Sequence, residues 1–211
     1  MKAILISIKP KYVAKILNGE KTIEIRKTCP EIFKHLKSYE GASLDVYIYC
    51  TKEEELFYNV LTQKWYVAKN RKNVKRLSNG VVKAKFTLNK VEEVGYSPRT
   101  LFDSDSYYLG NPTRNMLSSL LGNPLYEKSC LSKYELHRYL KGKKGYAWHI
   151  SDLEIFDKPK ELSEFKPYVK GKCMTSKCHF QKNYMCEVEC NLGLTRSPQS
   201  WQFIEVRGEQ K

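Results

Sequence analysis

The chain has 211 residues, 41% of them hydrophobic, with 37 Lys and Arg against 23 Asp and Glu, a formal net charge of +14. No stretch approaches the roughly 20 apolar residues of a membrane-spanning helix, and the apolar start meets Lys9-Pro10 too early to be a secretory signal, so the expected partners exclude membranes and the expected location is a cytoplasm. So large a positive excess attracts polyanions, nucleic acid first among them, although a lysine-rich codon bias produces the same excess.

Ala3 to Ile8 is a short apolar run broken only by Ser7, which reads as a buried strand. Pro10 suits the first turn of a helix, and Tyr12, Val13, Ile16 and Leu17 then fall on one face. Asn18-Gly19 stops that helix. Thr22 to Arg26 predicts a second strand, with Ile23 and Ile25 on one side and Thr22, Glu24 and Arg26 on the other. Lys21 stands at the turn before that polar face. A lysine at a pocket rim contacts phosphate or, when desolvated, becomes a nucleophile or base; the same three charges also serve as a solvated, mutually paired surface.

Thr28 to Gly41 reads as a loop with a helical piece near Glu31 to Leu36, and Leu44 to Tyr49 as a strand covered on both faces. An insertion at about 51–79 follows. Within it Lys64 to Lys69 predicts a hairpin strand, and the basic run carrying Arg71, Lys72, Lys75 and Arg76 beside Trp65 and Tyr66 combines phosphate attraction with stacking surface, or forms a solvated hairpin tip. Ser78-Asn79-Gly80 is a turn, and Val81 to Glu92 predicts a central strand. Residues at about 95–128, punctuated by prolines, predict loop with helix at Met116 to Leu121. Leu131 to Leu140 is a stronger helix, capped by Ser132 with Glu135 three residues on. The strand Tyr146 to Phe156 puts Trp148 and Ile150 on one face and His149 on the other. His149 is a candidate base or RNA contact, although a histidine in such a strand is more often structural.

A third insertion, at about 164–195, holds Cys173, Cys178, Cys186 and Cys190 in two close pairs. In a reducing compartment two such pairs suit structural zinc better than disulfides, but gaps of four and three residues depart from the common two-residue knuckle, and four unlinked thiols fit as well. Ser200 to Val206 predicts the last strand.

Ser7 to Pro10 followed by Ile16-Leu17-Asn18-Gly19-Glu20-Lys21-Thr22-Ile23-Glu24-Ile25-Arg26 resembles the signature of the ASCH family, within the PUA-like superfamily. Gly145 to Leu153 with Lys158 to Leu162, and Ser197 to Trp201, resemble later blocks of phage and prophage ASCH proteins. The resemblance implies an α+β fold, a single PUA-like β-barrel of mostly antiparallel strands with flanking helices over residues 1–211, in which Pro198 to Trp201 faces the same pocket as the opening motif. It implies binding of RNA, single-stranded nucleic acid or a modified nucleoside. Lys9, Lys21 and Arg26 are the candidate contacts to phosphate or a base edge, and Trp148 or Trp201 the candidate stacking ring. Some relatives are amidohydrolases of N4-acetylcytidine, and another cleaves RNA. If the chain is an enzyme, the resemblance assigns Lys21 to the family's lysine. Glu24 then replaces a hydroxyl residue, either pinning Lys21 as an ammonium or acting as general base, and Glu135 is the candidate for a later glutamate.

Overall fold

The apolar run at the start of the chain is buried on both faces and pairs with the last described strand, which brings the two together. The structure, a computed structural model, describes residues 1–34, 41–68, 79–98, 106–110, 123–168 and 193–206. Its elements in chain order are β1 (Lys2–Ile8), α1 (Pro10–Leu17), β2 (Ile23–Arg26), β3 (Leu44–Cys50), β4 (Glu55–Asn59), β5 (Lys64–Ala68), β6 (Val82–Leu88), β7 (Val91–Ser97) and β8 (Ser106–Leu109). There follow α2 (Pro124–Ser129), α3 (Lys133–Leu140), β9 (Gly145–His149), β10 (Ser151–Lys160), β11 (Lys166–Pro167) and β12 (Trp201–Glu205).

The strands form a six-stranded sheet in the order β10-β6-β3-β1-β12-β11, a four-stranded sheet in the order β2-β9-β7-β8, and the separate hairpin β4-β5. β1 lies parallel to β3 and antiparallel to β12, so the first and last strands are neighbours. Two tight corners carry the chain from one of the larger sheets to the other, at Asn89-Lys90 between β6 and β7 and at Ile150 between β9 and β10. What the sequence suggests as two long strands, Val81 to Glu92 and Tyr146 to Phe156, is in each case a strand that leaves one sheet and enters the other. Just past the second corner, Asp152, at a φ of 47°, sits at a register shift in the pairing of β10 with β6.

These sheets are not closed into a barrel among the described residues, which corrects the expectation from the sequence. β2 is an edge strand whose outer side meets α2, where the Thr22 amide donates to the Lys128 carbonyl at 2.9 Å, so a helix end stands where closure needs a strand. The main core lies between the sheets and joins Ile4, Ile6, Val46, Ile48, Ala84, Phe86, Val91 and Trp148 to α1 through Val13 and Ile16. Each large side chain so buried contributes about 1.5–3 kcal/mol. The second core packs Ile23 and Ile25 of β2 and Ala147 of β9 under Leu125, Leu136 and Leu140 of the helices. With its apolar residues committed there, β2 turns Glu24 and Arg26 to the opposite side, paired in register with Trp148 and Tyr146.

Pro10 opens α1 and Gly19, at a φ of 74°, carries the chain away from its end. The Asn18 side chain then grips the hairpin, donating to the Trp65 carbonyl at 3.0 Å and accepting from the Trp65 amide at 2.8 Å. Of the helical piece predicted over Glu31 to Leu36, the described residues form a 3-10 turn over Glu31–Phe33, and residues 35 and 36 lie outside the described residues. β8 and α2 occupy part of the region that the sequence suggests is loop, while the helix predicted at 116–121 lies outside the described residues. So do the basic run with Arg71, Lys72, Lys75 and Arg76, and the cluster of Cys173, Cys178, Cys186 and Cys190. Among the described residues no group of His, Cys, Asp or Glu is arranged to hold a metal ion, and no helix is long and apolar enough to cross a membrane.

Candidate functional site

Three charged side chains from one short stretch, Lys21, Glu24 and Arg26, are buried together where α1 hands over to β2. Lys21 is 2% exposed, and its Nζ donates to the Ser129 carbonyl at 2.7 Å and the Ile23 carbonyl at 2.8 Å. Glu24 Oε2 lies 3.2 Å from the same nitrogen. The three protons of an ammonium thus have three acceptors. Burial pushes the Lys21 pKa down from its ordinary value, and the Glu24 carboxylate is the main influence in the other direction.

Glu24 also serves Arg26, its Oε1 lying 3.0 Å from Arg26 Nη2. The guanidinium then ties the two ends of the chain together. Nη2 donates to the Ser7 carbonyl at 2.8 Å, and Nη1 to the Ser200 hydroxyl at 3.3 Å and the Ser200 carbonyl at 3.4 Å. Ser7 reinforces the junction, its hydroxyl donating to the Pro198 carbonyl at 2.6 Å and its amide to the Ser200 carbonyl at 3.0 Å.

Above this triad opens a cleft of about 860 Å³. Its walls come from the end of β1 and the start of α1, from Lys27 and Thr28 beyond β2, from Thr51 and Glu53 beyond β3, from α3, and from Pro198 to Ser200. The lining carries six basic side chains, Lys9, Lys11, Lys21, Arg26, Lys27 and Arg138, against the carboxylates Glu24, Glu53 and Glu135. Two aromatic rings stand among them with cations at their faces, Tyr12 with Lys21 Nζ at 5.5 Å and Tyr139 with Lys27 Nζ at 5.1 Å. Burial raises both phenol pKa values. Thr51 Oγ1, on the same wall, is buried with no hydrogen-bond partner among the described residues.

Glu135 occupies the α3 wall. Its Oε1 accepts from Lys11 at 2.9 Å and from the Tyr12 hydroxyl at 3.3 Å, while Oε2 accepts from the Ser132 amide at 3.0 Å in the capping box. The Lys11 bond, with help from Ser132, holds its pKa down to about 2. This carboxylate is fixed as an anion and already occupied.

Lys21, Glu24 and Arg26, which the sequence places together, form the cleft floor, and Lys9 stands at its rim, 3.0 Å from Glu53. Pro198, Gln199 and Ser200 line the cleft as the resemblance implies. Trp148 does not. It is fully buried in the main core, so the expectation that it stacks on a base is corrected: both ring faces are taken by packing. Trp201 lies outside the lining, meeting Trp148 and Phe203 edge-on at 5.5 Å each and donating from Nε1 to Thr28 Oγ1 at 3.1 Å. His149 is engaged away from the cleft, with Nε2 2.5 Å from Glu92 Oε2. Sequence reasoning missed Tyr12 and Tyr139 as cleft residues because both fit the apolar stripes of their helices. Their signal was position at the stripe's edge, where a ring packs with its body and presents its polar tip.

Among protein-family models none matches the chain, and no curated protein matches it. Among solved structures it is similar to the crystal structure of a mutant of the ASCH protein from Zymomonas mobilis, with 20% identity over 77% of each chain and a TM-score of 0.41. It is similar also to the crystal structure of ASCH from Zymomonas mobilis itself, with 17% identity, 96% of this chain and 87% of that chain covered, and a TM-score of 0.47.

Proposed function

We propose that the cleft binds a nucleotide of single-stranded RNA, its base held between polar and aromatic walls and its phosphates drawn by the rim cations. The observation that carries this reading is the excess of cations over carboxylates in a concave site with Tyr12 and Tyr139 among its walls. Charge supplies affinity for phosphate, and unpaired bases supply faces to stack and edges to bond. Glu24 and Arg26 stand fixed at the floor, where a base edge meets one acceptor and one donor. The resemblance of Ser7 to Arg26 to the ASCH signature points to the same ligand class.

The test is binding of a labelled single-stranded RNA across a salt series. With phosphate contacts from Lys27 and Arg138, a fourfold rise in salt weakens binding by about sevenfold. Affinity indifferent to salt, or unchanged in a Lys27→Glu, Arg138→Glu double variant, rules the reading out.

A second reading, hydrolysis of the acetyl group of N4-acetylcytidine or of RNA itself, is favoured by the desolvation of Lys21 beside Glu24. Against it, all three protons of the Lys21 ammonium are bound, so nucleophilic attack first requires one to leave. Turnover of either substrate by the native protein, absent in a Lys21→Ala control that still folds, establishes this reading; no turnover above the control leaves the binder.

A further inference from the structure

Along α3 one residue stands clear of the cleft, one helical turn before the cleft-lining Arg138. Glu135, Arg138 and Tyr139 line the cleft, Leu136 and Leu140 enter the second core, and Tyr134 projects outward, 73% exposed. Side chains four apart on a helix are neighbours, with about 5–6 Å between their Cβ atoms. Tyr134 and Arg138 use that spacing, the guanidinium lying over the Tyr134 ring at 6.0 Å from its centroid. Arg138 thereby belongs to two surfaces at once, the lip of the cleft and the face of an exposed ring.

So exposed a ring contributes little to folding, and its second face is open. An aromatic face beside a guanidinium is the surface on which an unpaired base stacks, with the cation placed to meet the linking phosphate. The capping box of Ser132 and Glu135 closes the helical turn from which Tyr134 projects.

We propose that Tyr134 and Arg138 form a second subsite, which stacks the base of the nucleotide adjoining the one held in the cleft. The preferred ligand is then a strand and not a free nucleoside. This rests on the nucleic-acid reading of the cleft, and it adds a contact that the opening motif does not contain.

The experiment compares cytidine 5′-monophosphate with a five-nucleotide oligocytidylate by calorimetry, on the native protein and on Tyr134→Ala and Tyr134→Phe, with circular dichroism to verify folding. The expected result is that the native protein prefers the oligonucleotide, that Tyr134→Ala weakens oligonucleotide binding by about tenfold, the scale of one lost base–aromatic stack, and that Tyr134→Phe retains it. The ratio between the two ligands is the decisive quantity. If Tyr134→Ala leaves that ratio unchanged while both ligands bind, the subsite is overturned and the cleft reading stands. If neither ligand binds the native protein, both fall together.

Discussion

Lys21, Glu24 and Arg26 illustrate how an ionic cluster can sit in a protein interior only when each member is paired. Glu24 is the shared partner, one oxygen toward each cation. Replacing it by glutamine leaves two buried cations without a counter-charge, and breaking such a pair from one side costs about 3–5 kcal/mol. Glu24→Gln is therefore expected to lower the urea midpoint strongly. The loss has a pH signature. Burial holds the folded Lys21 pKa below its ordinary 10.5, so between those values the unfolded chain binds the proton that the folded chain sheds. Stability of the variant then rises with pH as 10.5 is approached from below. Glu24 is what raises the native Lys21 pKa against burial, so its loss steepens this rise beyond that of the native protein, whereas a packing defect alone leaves the native slope; urea midpoints of both proteins at neutral and alkaline pH separate the two.

At the scale of elements, α3 is both a wall of the cleft and a short helix that depends on its cap. Glu135 accepts from Lys11 of α1 and from Ser132 at its own N-cap, so the cap and the contact between helices share one carboxylate. Its pKa falls from an ordinary 4.5 to about 2. The stability it provides is complete above 4.5 and is lost as pH falls toward about 2. Native protein is expected to lose stability through that acid window, and Glu135→Gln to show a shallower loss there. Acid titration followed by circular dichroism measures both, and identical slopes contradict the assignment.

This cap was legible in the sequence, since Ser132 and Glu135 are a local signal three residues apart. So was the strand, helix, strand opening, including the polar face of β2, because the period of two and the Pro10 and Gly19 punctuation act within single elements. Closure of the sheets was not legible. It depends on what meets the free edge of β2, and the α2 segment that does so, with Pro124 at its start, follows a region where no periodic pattern emerges. Trp148 was misplaced for a related reason. Alternation tells which residues share a face but not which face is buried, and β9 is covered on both, by the main core at Trp148 and the second core at Ala147. Tyr12 and Tyr139 were hidden because a ring at the edge of an apolar stripe looks like core until the neighbouring element is known.

At the scale of the whole molecule, the cleft exists because both ends of the chain meet. β1 lies beside β12, the Met1 amine donates to the Val206 carbonyl at 2.8 Å, and Val206 returns a bond to the Met1 carbonyl at 2.9 Å. Near the cleft the junction is made by side chains. The Ser7 hydroxyl holds the Pro198 carbonyl, and Arg26 holds Ser200, so the segment that finishes the cleft is fastened to its first strand and to its floor. Ser7→Ala removes the first of these bonds while leaving the backbone pairing of β1 with β12 intact. The net loss in stability is about 1 kcal/mol, the ordinary worth of one hydrogen bond. RNA affinity is expected to fall too, by up to the same amount, because the ligand must then restore whatever order the wall formed by Pro198 to Ser200 loses with that bond. Thermal melts and RNA titrations of the same variant give the two quantities side by side. A Ser7→Ala protein that loses stability by the expected amount yet binds RNA as tightly as the native chain shows that the C-terminal segment is a structural strap with no part in the cleft.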